Sequence, residues 1–152
     1  MNAPLRFVLD TNVVIDWLVF AHPFLDRFRE LVASRRIAVL TNELARDELV
    51  RVLEYPILKL EGERRAEVLA RYDAQCVPVN MPDGFSSAAL SLPPGFPHCR
   101  DRDDDAFLAL AFHARASALV TRDNALLKLK KRVRRYGVSI IDVPQMMELV
   151  GE

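Results

Sequence analysis

Apolar residues in this chain fall into two rhythms that take turns along its length. Short runs rich in β-branched residues predict strands at Leu5–Leu9, Ile37–Leu40, Cys76–Val79, Ala118–Thr121 and Val138–Ile141. Between them the apolar positions recur at helical spacing. They predict a helix from about Asn12 to Ser34 interrupted near Pro23, a second over Asn42–Glu54 closed by Pro56, and a third over Glu61–Gln75. Further helices are predicted over Asp104–Ala116, from about Asn124 to Arg135, and over Pro144–Val150. Parallel crossovers need a helix and bury both faces of their strands. The alternation therefore predicts an α/β fold, a three-layer α/β/α sandwich around a central, mostly parallel sheet of about five strands. Between residues 80 and 99, Pro82, Gly84, Pro93, Pro94, Gly95 and Pro97 are too many breakers for a regular element. That stretch reads as a functional loop, because it ends directly at an acidic cluster.

Composition narrows the function classes more than it selects one. With 152 residues, 51% of them hydrophobic, the chain suits a single domain over residues 1–152 with one sizeable core. Lys and Arg number 21, as do Asp and Glu, so affinity for a polyanion has to come from local patches. Cys76 and Cys99 are too few for a disulfide framework and belong to no CxxC pair, and both read as reduced thiols. His98-Cys99 could donate to a metal, but no second pair stands at zinc spacing. The first ten residues lack the pattern of a signal peptide, and no run of about eighteen apolar residues occurs. A cytoplasmic protein without membrane contact is the expectation.

The candidate chemistry lies in four acidic signatures set at element ends. Asp10, in Asp10-Thr11-Asn12, follows the first strand, at the edge where open α/β sheets gather ligands. An Asp that only caps the next helix would look the same. Glu48 interrupts an apolar stripe formed by Leu44, Ala45, Leu49, Val52 and Leu53, where a carboxylate is costly unless a salt bridge, for instance to Arg51, or a cation neutralises it. Asp101, Asp103, Asp104 and Asp105 crowd the start of one helix, beyond what its dipole compensates, and imply something cationic nearby. Asp104 shares the inward face with Phe107, Leu108 and Ala111, whereas Asp103 and Asp105 turn progressively towards solvent. Asp123, in Thr121-Arg122-Asp123, follows the fourth strand as Asp10 follows the first. Thr11 and Thr121 could orient these acids or a coordinated water, or serve only as turn residues.

Together the segments Asp10-Thr11-Asn12-Val13, Glu48-Leu49, Cys99-Arg100-Asp101-Arg102-Asp103-Asp104-Asp105-Ala106-Phe107-Leu108, and Val120-Thr121-Arg122-Asp123-Asn124-Ala125-Leu126-Leu127 resemble the acidic motifs of PIN-domain ribonucleases. The likeness spans nearly the whole chain and is strongest to the branch assigned as toxins of bacterial toxin–antitoxin systems. Arg122 stands where that branch commonly has glycine. The resemblance implies a PIN-like sandwich whose acids bind Mg2+ or Mn2+ for RNA hydrolysis. On this chain the catalytic and metal-binding acids would be Asp10, Glu48, Asp104 and Asp123, with Asp101 and Asp105 as further metal candidates and Thr11, Asn12 and Thr121 in support. It also implies a separately encoded antitoxin as partner and a homodimer, for which Leu53, Val68 and Leu69 are the apolar positions left over.

A nest of carboxylates repels a phosphate chain, so an RNA-cutting enzyme of zero net charge needs basic residues at its rim. Arg100, Arg102 and Arg122 are interleaved with the acids, and Lys130, Lys131 and Arg132 belong to a basic run that could equally be a solvated helix face. Trp17, Tyr55, Phe85 and Phe96 are the candidates for stacking on bases, with core packing the safer reading for Trp17 and Tyr55. His22, His98 and His113 have no place in the acidic motifs, which argues against metal-free cleavage by a histidine pair. Two other readings remain open: a non-catalytic PIN-like module that binds RNA or protein, and a metal-dependent phosphatase or DNA nuclease on a related sheet.

Overall fold

Phe7, Val8 and Leu9 are all buried, and a strand buried on both faces belongs in the middle of a parallel sheet. The computed structural model describes residues 4–80, 92–99 and 102–151, with the backbone alone at Arg102 and Asp103. In it β1 (Leu5–Leu9) is the central strand. β2 (Ile37–Thr41) and β3 (Cys76–Pro78) lie to one side, and β4 (Ala118–Val120) and β5 (Ile140–Ile141) to the other, in the order β3-β2-β1-β4-β5. All four pairings are parallel. The last strand is shorter than its apolar run. Even so, Ser139 accepts a hydrogen bond from the Leu119 amide at 2.8 Å, so the chain already lies along β4 there.

Helices cover both faces. α1 (Thr11–Leu18) ends five residues before Pro23 because the chain turns at Ala21, whose φ is 47°. A 3-10 turn at Pro23–Leu25 then starts α2 (Asp26–Ala33). Proline accounts for the interruption, since it lacks an amide donor and disfavours helical geometry in the residue before it. α3 (Glu43–Leu53) is capped by Asn42, whose side chain accepts from the Ala45 amide at 2.9 Å. After a 3-10 turn at Pro56–Leu58 come α4 (Gly62–Gln75) and, beyond β3, α5 (Arg102–Ala114). The single helix expected over 124–135 is two: α6 (Asn124–Leu127) and α7 (Lys130–Arg134). α8 (Val143–Val150) opens with a capping box between Asp142 and Gln145.

Side-chain alternation along β1 separates two cores. Phe7 and Leu9 pack with Trp17, Phe28, Leu49 and Val68 under α1–α4, while Val8 packs with Phe107, Leu108, Leu126 and Val133 under α5–α7. The result is the three-layer sandwich. The positions expected to be left over for a homodimer are not: Leu53 and Val68 are buried in the first core and Leu69 packs against it. Their stripe on α3 and α4 meets the sheet layer of their own chain. Among the described residues no helix is long and apolar enough to cross a membrane.

Phe28 is fully buried and meets Trp17 edge to face at 5.7 Å. Phe28→Ala should cost about 3–5 kcal/mol, read as a lower urea midpoint at unchanged m-value. A loss below 1 kcal/mol would show that this core is not closely packed.

Candidate active site

From β1 the chain steps outward to β2 and β3, then crosses back past β1 to β4 and β5. The C-terminal ends of β1 and β4 therefore flank the point where the strand order reverses, the place where open α/β sheets leave a crevice. Asp10 and Asp123 stand on either side of it. Thr121, fully buried, joins them: its Oγ1 donates to Asp10 Oδ2 at 2.7 Å and accepts from the Asp123 amide at 2.9 Å. Both acids also cap helices, Asp10 accepting from the Asn12 amide at 3.4 Å and Asp123 from the Ala125 amide at 2.9 Å. Capping and site formation are thus not alternatives, because one carboxylate has lone pairs for both.

Asp10, Glu48, Asp104 and Asp123 all line one cleft of about 300 Å3. Thr11, Asn12 and Arg122 line it too. Asp104 is 7% exposed and accepts from the Cys99 thiol at 3.4 Å. Burial is the main reason that its pKa rises, to about 7; a hydrogen bond with Asp123 and the charges of Asp10 and Asp123 add to this, against the pull of the Cys99 thiol. Asp10 is also raised, chiefly by burial and in part by Asp123, while the Thr121 and Asn12 hydrogen bonds hold it back. The Thr11 hydroxyl is buried beside these acids, with no hydrogen-bond partner among the described residues.

Asp105 corrects the reading of the acidic cluster. It is buried instead of facing solvent, and does not line the cleft. One helical step of about 100° carries it from Asp104's direction towards the segment 92–99, where its Oδ1 accepts from the Cys99 amide at 2.7 Å and its Oδ2 lies 3.3 Å from His98 Nδ1. Its oxygens clamp a loop. Asp101, Arg100 and Phe85 lie outside the described residues, as does the side chain of Arg102.

Arg122 reaches the cleft and pairs through Nε with Asp16 Oδ2 at 3.1 Å. Asp16 escaped the sequence reading, although it is the one acid in the otherwise apolar helix TNVVIDWL. Lys130, Lys131 and Arg132 do not line the acidic cleft. Arg132 instead shares a second hollow with Lys128, His98 and Cys99. Phe96 is no stacking platform, being buried against Phe112 and Tyr136 with ring centroids 5.7 and 4.9 Å away. Trp17 is core, but Tyr55 is 54% exposed and lines the cleft. Phe20 and Ile57, which no motif singled out, stand there with it.

With this arrangement of acids at the sheet edge, the profile of the PIN domain matches residues 6–125. The chain belongs to the PIN domain family. PIN domains are generally nucleases that use divalent metals. No curated protein matches the chain. The donor set of this PIN domain suits a hard cation: oxygens only, drawn from carboxylates of which Asp10 and Asp104 have pKa values raised chiefly by burial and in part by the neighbouring acids. As the side chains lie, no three His, Cys, Asp or Glu among the described residues are grouped so as to hold an ion.

Because Asp104 titrates in the folded protein near 7 instead of 3.8, the fold binds more protons than the unfolded chain between those values. Stability from this group is full below pH 4 and is lost as pH rises through 7. In EDTA at pH 8, Asp104→Asn should therefore melt roughly 3–6 °C above wild type, and the gap should narrow as pH falls below 7 and close below pH 4. A constant gap over that range would mean that Asp104 is not proton-linked to folding.

Proposed function

We infer that this PIN domain is a divalent-metal-dependent endoribonuclease that hydrolyses RNA phosphodiester bonds and serves as the toxin of a toxin–antitoxin pair. The convergence of Asp10, Glu48, Asp104 and Asp123 on one cleft carries the catalytic reading. The resemblance of the Cys99-to-Leu108 motif to that of toxin-branch PIN proteins supports the biological role and an antitoxin partner. A homodimer remains part of the proposal, through a face other than Leu53, Val68 and Leu69.

Mg2+ or Mn2+ held by Asp10, Glu48, Asp104 and Asp123 would supply a water made nucleophilic near neutral pH and neutralise charge building on the phosphate. The chain's own residues do the rest. Thr121 fixes Asp10 Oδ2, so the carboxylate needs no reorganisation when substrate arrives. Asp104, titrating near pH 7, can hold a proton on its carboxyl. Arg122, braced by Asp16, has donors left for a phosphate oxygen. Lys128 and Arg132 offer a further anchor for the RNA backbone.

A non-catalytic module that only binds RNA or protein is the second reading. Calorimetric titration with Mn2+ and cleavage of a panel of single-stranded RNA, single-stranded DNA and small phosphoesters decide between them. We expect Mn2+ binding and cleavage of RNA alone; cleavage of DNA or phosphoesters in preference would move the protein to another nuclease or phosphatase class. Asp10→Asn should abolish Mn2+ binding and lower RNA cleavage by about two to three orders of magnitude, without lowering the melting temperature in EDTA.

Replacing Lys128 and Arg132 together by Ala should weaken RNA binding for every sequence alike. It should also flatten the slope of log affinity against log salt by about two, with Mn2+ affinity unchanged. An unaltered slope would assign both residues to a solvated face.

A further inference from the structure

Large apolar side chains stranded in solvent are more informative than buried ones, and three of them here share one place. Phe20 is 58% exposed, Tyr55 54% and Ile57 84%, and all three line the cleft that holds the acids. They come from separate turns: Phe20 follows α1, while Tyr55 and Ile57 follow α3. α1 packs against α3, and the cleft runs from Asn12 past Ile15 to Phe20 on one side and from Glu48 past Val52 to Tyr55 on the other. Its acidic and aromatic ends are therefore separated by about 12 Å, the rise of eight helical residues.

We propose that Phe20 and Tyr55 are nucleobase-stacking residues, which hold an unpaired base of the RNA one or two nucleotides away from the phosphate presented to the acids and so set which bond is cut. This rests on the ribonuclease reading and extends it to specificity. A groove with charged groups at one end and flat aromatic surface at the other matches a strand that alternates anionic phosphates with flat bases. Aromatic rings stack on any base, and Ile57 adds an apolar floor without selecting among them. A base within a duplex is already stacked and paired, so only an unpaired stretch can enter. At about 300 Å3 the cleft is at the lower end of small-ligand pockets, a size that suits a single base.

The test uses the full chain with Ca2+ in place of Mg2+ to hold back cleavage, and short single-stranded RNAs carrying 2-aminopurine at successive positions. Quenching of the fluorophore at one or two positions, lost in Phe20→Ala and Tyr55→Ala and retained in Tyr55→Phe, is expected. Each alanine variant should bind single-stranded RNA about tenfold more weakly, raise KM for cleavage more than it lowers kcat, and leave Mn2+ affinity unchanged. Both side chains are more than half exposed, and matching melting temperatures would confirm that the variants fold. If wild type cuts RNA but the variants bind and cut it equally well without a change in quenching, the stacking wall is overturned and the ribonuclease reading stands. If wild type neither binds nor cuts RNA, both fail. Should the variants instead abolish a dimer or binding of a protein partner while RNA affinity is unchanged, the surface is a protein interface and the proposal is wrong.

Discussion

Like charges brought together out of water determine how this site is built. Asp10, Asp104 and Asp123 repel one another across a partly buried cleft, and burial removes the water that would screen them. The fold answers with donors aimed at each acid: the Thr121 hydroxyl at Asp10, the Ala125 amide at Asp123, the Cys99 thiol at Asp104. What those donors leave uncompensated is met by a retained proton. A cation bound there would answer the same excess of negative charge as that proton.

The sheet holds these acids in place because its order reverses beside β1. Had β4 been added outside β2 or β3, Thr121 could not reach Asp10 across one strand spacing. The central position of β1 in turn depends on Phe7, Val8 and Leu9 being apolar on both faces, which lets helices cover each side. A pattern of side chains on five residues thus reaches the chemistry through the topology it permits.

Strands and most helices were legible because β-branched runs and helical spacing are local signals, and so was the gathering of Asp10 and Asp123, since parallel strands put all their C-terminal ends on one edge. What escaped depends on neighbours distant in sequence. Nothing within the acidic cluster says that residues 98–99 cover Asp105, or that Phe112 and Tyr136 enclose Phe96. Tyr55 looked like a core residue because its exposure is decided by the turn after α3. The break between α6 and α7 separates Lys130, Lys131 and Arg132 from the groove they were expected to flank, and no proline or glycine marks it.

The hydrogen bond between Thr121 and Asp10 spans 111 positions of sequence. A chain emerging from the ribosome completes its N-terminal strands and helices long before that hydroxyl exists, and domains gain their packing as units while synthesis proceeds. Until β4 has docked beside β1, Asp10 lacks its brace and Asp123 is absent from the cleft. The nascent chain therefore passes the whole synthesis of the segment between β1 and β4 without an assembled site.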